Sequence, residues 1–145
     1  MTSDVGWQEY EAALAFAVAA HAGQRDKNGQ PFINHPMRVA ASFRDPLLAT
    51  IAILHDVIED TSTSLNTVGV RWGRQVAEAV DALSRREGEV YTDYIERVSA
   101  HPLAVEVKRA DIGDNLARID EITDRAVRVE LQKRYVAALK RLGWA

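Results

Sequence analysis

The stretch PLLATIAILHDVIED, residues 46–60, restricts the fold more than any other part of the chain. At about 100° per residue on a helical wheel, Ile51, Leu54 and Ile58 face one way, while Ile53 and Val57 face nearly opposite. A helix that is apolar on most sides has to be enclosed by other elements. Asp45 and Pro46 supply the cap and first-turn residues that would start it. Helical periodicity continues along the chain between short breaks at residues 23–30, 61–64, Gly73, Gly88 and His101-Pro102, and Pro36 and Pro102 can each open a helix. No strand-length run alternates apolar and polar residues between turn signals. The expectation is one all-α domain over residues 1–145, an irregular bundle of seven or eight helices.

The same stretch carries His55, Asp56, Glu59 and Asp60. On a helix continuing to about Asp60, His55 stacks over Glu59 and Asp56 over Asp60, so the four groups share one arc in the last two turns. Three carboxylates at the negative end of a helix dipole are unfavourable. Burying them unpaired costs several kcal/mol each, and a divalent cation is the strongest local charge that could offset this. Two plainer readings stand beside the metal: a solvated helix end for Glu59 and Asp60, and a self-satisfied core pair for His55 and Asp56.

Residues 105–120, VEVKRADIGDNLARID, place Lys108, Asp111, Asn115 and Arg118 on one stripe at a 3-4-3 spacing, with Glu106, Arg109, Gly113 and Asp120 roughly opposite. The Lys108 stripe is flanked by apolar residues and is expected to point inward. Ahead of both helices, the loop from Gly23 to Pro31 carries Arg25, Lys27 and Asn28, which suit phosphate, and His35 follows just before Pro36. His35, His55, Asp56 and Asp111 together make two nitrogen and two oxygen donors, a set suited to a hard-to-borderline divalent metal with positions left for water and substrate.

Composition narrows the classes of function. The formal net charge of −3, with 27% charged residues, leaves no electrostatic footprint for nucleic acid or an anionic membrane. There is no cysteine, which rules out disulfides and thiolate sites and fits a reducing cytoplasm. The sequence has neither a signal-like N-terminus nor an apolar run long enough for a transmembrane helix. The expectation is a soluble cytoplasmic protein.

The blocks AHAGQ, GQPFINHP, ILHDVIEDT, the Trp72-Gly73 junction and KRADIGDNL, in this order over residues 20–118, resemble the HD superfamily of metal-dependent phosphohydrolases. They are most similar to the hydrolase half of RelA/SpoT proteins and to small alarmone hydrolases, which remove the 3′-pyrophosphate of ppGpp using Mn²⁺. The resemblance implies an HD-domain bundle with Mn²⁺ or another divalent ion on His35, His55, Asp56 and Asp111. It further implies Glu59 and Asp60 as the pair that positions or activates water, Asn115 as a sugar contact, and Lys108 with Arg25 or Lys27 as phosphate contacts. The implied partner is a small phosphorylated nucleotide, and the chain is too short to hold the synthetase and regulatory domains of long RelA/SpoT proteins. Asp26 stands in the register of a guanine-contacting arginine, and Ile112 follows Asp111 where a basic residue is usual. Both imply relaxed base preference or a less charged substrate. Other readings are a phosphatase or pyrophosphohydrolase acting on another nucleotide or phosphorylated cofactor, and a non-catalytic metal- or nucleotide-binding sensor. Glu59 argues against the sensor, which has little use for a water-activating carboxylate.

Overall fold

The computed structural model describes residues 5–143, and among them the chain is all-α. Its helices are α1 (Trp7–Ala20), α2 (Asn34–Ala41), α3 (Pro46–Leu54), α4 (Val57–Asp60), α5 (Leu65–Trp72), α6 (Arg74–Ala82), α7 (Tyr91–Ser99), α8 (Pro102–Ala117) and α9 (Arg125–Arg141), with a 3₁₀ turn over Ile119–Glu121. Apart from an isolated bridge between Arg25 and Pro31, no strand pairing occurs among the described residues. None of the described helices is long and apolar enough to cross a membrane.

Helix α3 forms the centre, as its apolar circumference requires. Ala49 to Leu54 are all buried, and α1, α2, α6 and α8 pack around them. The helix begins where Asp45 accepts the amide of Leu47 at 2.9 Å, with Pro46 in the first turn. Similar caps start α5, α8 and α9: Ser64 accepts from the Thr67 amide, His101 from Ala104 ahead of Pro102, and Asp124 from Val127. Between α5 and α6 the chain turns at Gly73, whose φ of 96° favours glycine. The preceding Trp72 packs edge-on against Phe16 and donates its indole N–H to the Glu9 carbonyl at 3.2 Å.

The central segment does not continue as one helix to Asp60. The Ala52 carbonyl, which an unbroken helix would offer to the Asp56 amide, accepts both the His55 amide at 3.3 Å and its Nδ1 at 2.5 Å. Helix α3 therefore ends at Leu54, and α4 is a separate single turn closed by Thr61 Oγ1 on the Val57 carbonyl. As a result His55 and Asp56 turn inward, whereas Glu59 and Asp60 are exposed.

A braced loop joins α6 to α7. The Arg97 guanidinium donates to both Glu89 carboxylate oxygens at 2.8 and 2.9 Å and to the Ser84 carbonyl, while the Arg86 amide also donates to Glu89. The Arg97 bonds and the Arg86 amide hold the Glu89 carboxyl at about 2. A carboxyl held below its usual 4.5 contributes fully above that value, and the contribution is lost as pH falls towards 2. Amide exchange in residues 85–90 is expected to accelerate between those pH values in the wild type, after correction for intrinsic rates. Glu89→Gln should exchange fast throughout and lack that pH-dependent step.

Candidate active site

Two histidines and two aspartates converge from three helical segments. His35 lies in the first turn of α2, His55 and Asp56 lie in the break after α3, and Asp111 lies midway along α8. Asp111 Oδ1 is 2.6 Å from His35 Nε2 and 3.5 Å from His55 Nε2, and Asp56 Oδ2 is 3.1 Å from His55 Nε2. His35, His55 and Asp111 each point a donor atom to one place, with all three atoms within 4.8 Å of one another. Asp56 belongs as well to a second acidic group with Glu59 and Asp60, so it links the buried cluster to the exposed pair.

Both imidazoles are oriented through Nδ1. His55 Nδ1 donates to the Ala52 carbonyl, and His35 Nδ1 lies 2.7 Å from Asp114 Oδ2. Arg38 fixes that carboxylate with two bonds, Nε to Oδ1 at 2.9 Å and Nη2 to Oδ2 at 3.1 Å. An acceptor on Nδ1 directs the Nε2 lone pair inward, the arrangement metal-ligating histidines use. His55 Nε2 is buried and makes no well-formed hydrogen bond, although oxygens of Asp56 and Asp111 lie 3.1 and 3.5 Å away, and a cation between these atoms would satisfy all three. The donor set therefore fits a divalent metal ion.

The electrostatics agree. Burial alone would push the Asp111 carboxyl up, but the Lys108 ammonium and the two adjacent histidines hold it well below the usual carboxylate range. Burial would push His55 down, but the Asp56 and Asp111 carboxylates raise it well above its ordinary value. The cluster thus draws positive charge strongly, and a divalent cation bound to the same atoms takes the place of the imidazole protons. Outside it, partial burial together with the Asp56 charge pushes the Glu59 and Asp60 carboxyls up from their ordinary values.

The expected substrate contacts separate into different settings. Lys108 is drawn inward: its Nζ bonds Asp111 Oδ2 at 2.8 Å and lies 4.9 Å from the Tyr94 ring centre, so it braces the cluster. Lys27 and Asn115 line a cleft of about 220 Å³ beside His35, together with Phe32 and Tyr135. Arg25 lies exposed on its loop with Nη1 on the Gly29 carbonyl. Asp26 accepts the amides of Asn28 and Gln30 and so braces that loop, while Ile112 is fully buried in the core. Glu59 and Asp60 line a second, larger groove of about 930 Å³ with Arg85, Tyr91 and Arg134.

Asp114 and Arg38 are absent from the sequence-based expectations. Their spacing offers a signal, because each follows a proposed ligand by three residues, Asp114 after Asp111 and Arg38 after His35. Tyr91 and Arg134 carry no such signal, since α7 and α9 meet only in the folded chain.

Comparison with known proteins bears on the same residues. The model of the HD domain family matches residues 13–109, which include His35, His55 and Asp56 and end just before Asp111. A guanosine-3′,5′-bis(diphosphate) 3′-pyrophosphohydrolase of Aquifex aeolicus is 28% identical over 94% of this chain and 22% of its own length. The human 3′-pyrophosphohydrolase MESH1 is 39% identical over 50% of this chain and 45% of its own. The chain thus spans less than half the length of these curated relatives. A solved structure described as a metazoan ortholog of SpoT that hydrolyses ppGpp superposes with a TM-score of 0.83, covering 93% of this chain and 85% of that one at 24% identity, and shows the same all-α fold.

Purified protein is expected to carry about one divalent ion per chain. Exhaustive chelation should lower its melting temperature, because the ion binds the folded state preferentially. Elemental analysis of Asp111→Ala should find the ion lost. Unchanged melting after chelation, with no metal found in the wild type, would contradict the assignment.

Proposed function

The chain belongs to the HD domain family, and from that premise we propose that it is a metal-dependent phosphohydrolase removing the 3′-pyrophosphate of (p)ppGpp-like nucleotides. Convergence of His35, His55, Asp56 and Asp111, with carboxylate oxygens 3.1 and 3.5 Å from the buried Nε2 of His55, carries this reading. The named activities of the relatives support it. In this reading residues 1–145 form one such domain, it works in the cytoplasm, and Mn²⁺ is the physiological ion.

A divalent ion on these four residues would supply Lewis acidity to a phosphoryl oxygen and to a water. Glu59, next to Asp56 in the acidic group, takes a proton from the attacking water, and Asp60 orients that water. Water attacks the phosphorus attached to the ribose 3′ oxygen. The bond from that phosphorus to the 3′ oxygen breaks, pyrophosphate departs, and the sugar hydroxyl regains a proton. Lys108 keeps Asp111 ionised, and Asp114 with Arg38 keeps the His35 ring turned inward.

The cleft beside His35 suits the nucleoside. Phe32 and Tyr135 offer apolar faces for a base, and Asn115 is within the same cleft for the sugar. The two arginines there are committed, Arg38 to Asp114 and Arg118 to Glu121 at 2.8 Å, which leaves neither free to read the guanine edge. Stacking on aromatic faces discriminates weakly between purines.

A screen of phosphorylated nucleotides with added Mn²⁺, reading released phosphate and pyrophosphate, tests the activity. Turnover of ppGpp with pyrophosphate as product supports it, and no release from any phosphorylated nucleotide refutes it. Glu59→Gln should keep the ion and the melting temperature while lowering turnover about 100-fold or more, and wild-type turnover would remove Glu59 from the chemistry. The ratio of kcat/KM for ppGpp over its adenine counterpart should stay below about 10³, roughly 4 kcal/mol of discrimination. A larger ratio would show that the base is read by contacts other than stacking.

A further inference from the structure

The groove lined by Glu59 and Asp60 also holds cations that the proposed chemistry leaves unused. Two guanidinium groups meet there on one ring: Arg85 Cζ is 5.4 Å and Arg134 Cζ 4.7 Å from the centre of Tyr91. Neither has a carboxylate partner among the described residues. Arg85 reaches only the Glu89 carbonyl through Nε, and neighbouring Arg86 is instead committed to Asp81 at 3.1 Å. Two unpaired cations gathered on one aromatic ring repel each other, and an anion between them relieves the repulsion. The Tyr91 hydroxyl is also buried with no hydrogen-bond partner.

These groups are close to the metal-binding cluster and held in place. Tyr91 packs edge-on against Tyr94 at 5.8 Å, the Tyr94 hydroxyl donates to the Leu83 carbonyl at 2.8 Å, and Lys108 lies over Tyr94 while bonding Asp111. The Arg85 amide donates to the Glu59 carboxylate, so the backbone that carries one cation also anchors the proposed base. The pairing of Glu89 with Arg97 braces the rest of that loop.

We propose that Arg85, Arg134 and the Tyr91 hydroxyl form an anion subsite for the distal phosphate of a diphosphate whose proximal phosphorus lies at the histidine–aspartate cluster. Guanidinium groups suit this role because they meet phosphate oxygens with paired N–H donors. The subsite makes the groove selective for pyrophosphate esters over phosphate monoesters. It deepens the pyrophosphohydrolase reading above and rests on it for the position of the proximal phosphate. Glu59, Asp60 and Glu87 also line this groove, and Glu89 there is paired with Arg97.

Calorimetric titration of the Mn²⁺-loaded full chain with inorganic pyrophosphate and with orthophosphate, at constant free Mn²⁺, tests the proposal. Wild-type protein should bind pyrophosphate the more tightly. Arg85→Gln and Arg134→Gln should each weaken pyrophosphate about 10- to 100-fold and leave orthophosphate within about threefold. Tyr91→Phe, which keeps the ring, should show a smaller loss of the same kind. Arg86→Gln removes an equal charge from the same loop and should change neither anion. Melting temperatures within about 2 °C of the wild type, a shift expected from well under 1 kcal/mol in a domain of this size, establish that the variants fold. Equal losses for both anions, an equal effect of Arg86→Gln, or unchanged pyrophosphate binding would overturn the subsite. No turnover enters this measurement. Selective pyrophosphate binding in a protein inert towards ppGpp would keep the subsite and reject the activity, and active enzyme with indifferent arginine variants would do the reverse.

Discussion

One aspartate organises the centre of this molecule. Asp111 is buried, and its two oxygens meet His35 Nε2, Lys108 Nζ and, at longer range, His55 Nε2. An ionised carboxylate at such a depth requires partners, and supplying them dictates much of the surrounding geometry. Lys108 has to lie on the same face of α8 one turn earlier, α2 has to present His35, and the chain has to break after Leu54 so that His55 and Asp56 turn inward. Each device neutralises part of the charge, yet His55 Nε2 still lacks a well-formed hydrogen bond. A divalent ion would complete the arrangement where more protein hydrogen bonds do not.

Around this point the structure separates tasks by depth. Of the proposed ligands, His55 and Asp111 are buried and His35 and Asp56 half-buried, while the carboxylates we assign to water are exposed at the groove; in the proposed reading two further surfaces serve recognition. The cleft containing His35, Phe32 and Tyr135 is suited to a nucleoside, and the groove with Arg85, Tyr91 and Arg134 is suited to phosphate. Asp114 and Arg38 brace His35 from beside the cluster.

Much of this was legible in the sequence because its causes are local. The all-round apolar pattern of residues 46–54 required a central helix, Asp45-Pro46 marked its start, and the inward stripe on α8 followed from the spacing of Lys108 and Asp111. The four proposed ligands could be named because histidines and carboxylates set among apolar residues need a compensating charge. The break at His55 was not legible, since helical spacing gives no sign that Nδ1 captures the Ala52 carbonyl. The resemblance implied Lys108 as a phosphate contact, and the spacing on α8 alone gave no sign that its ammonium bonds Asp111 and lies over Tyr94. The phosphate groove depends on contacts between α7, α9 and the loop before α7, which no local pattern encodes.

The account turns on two histidines and two aspartates holding one ion, and pulsed electron paramagnetic resonance of the Mn²⁺-reconstituted protein addresses this directly. It predicts one tightly bound Mn²⁺ per chain, coupled to two imidazole nitrogens, with one coupling lost in His35→Ala and the other in His55→Ala. A spectrum of fully hydrated Mn²⁺ without nitrogen coupling would contradict it.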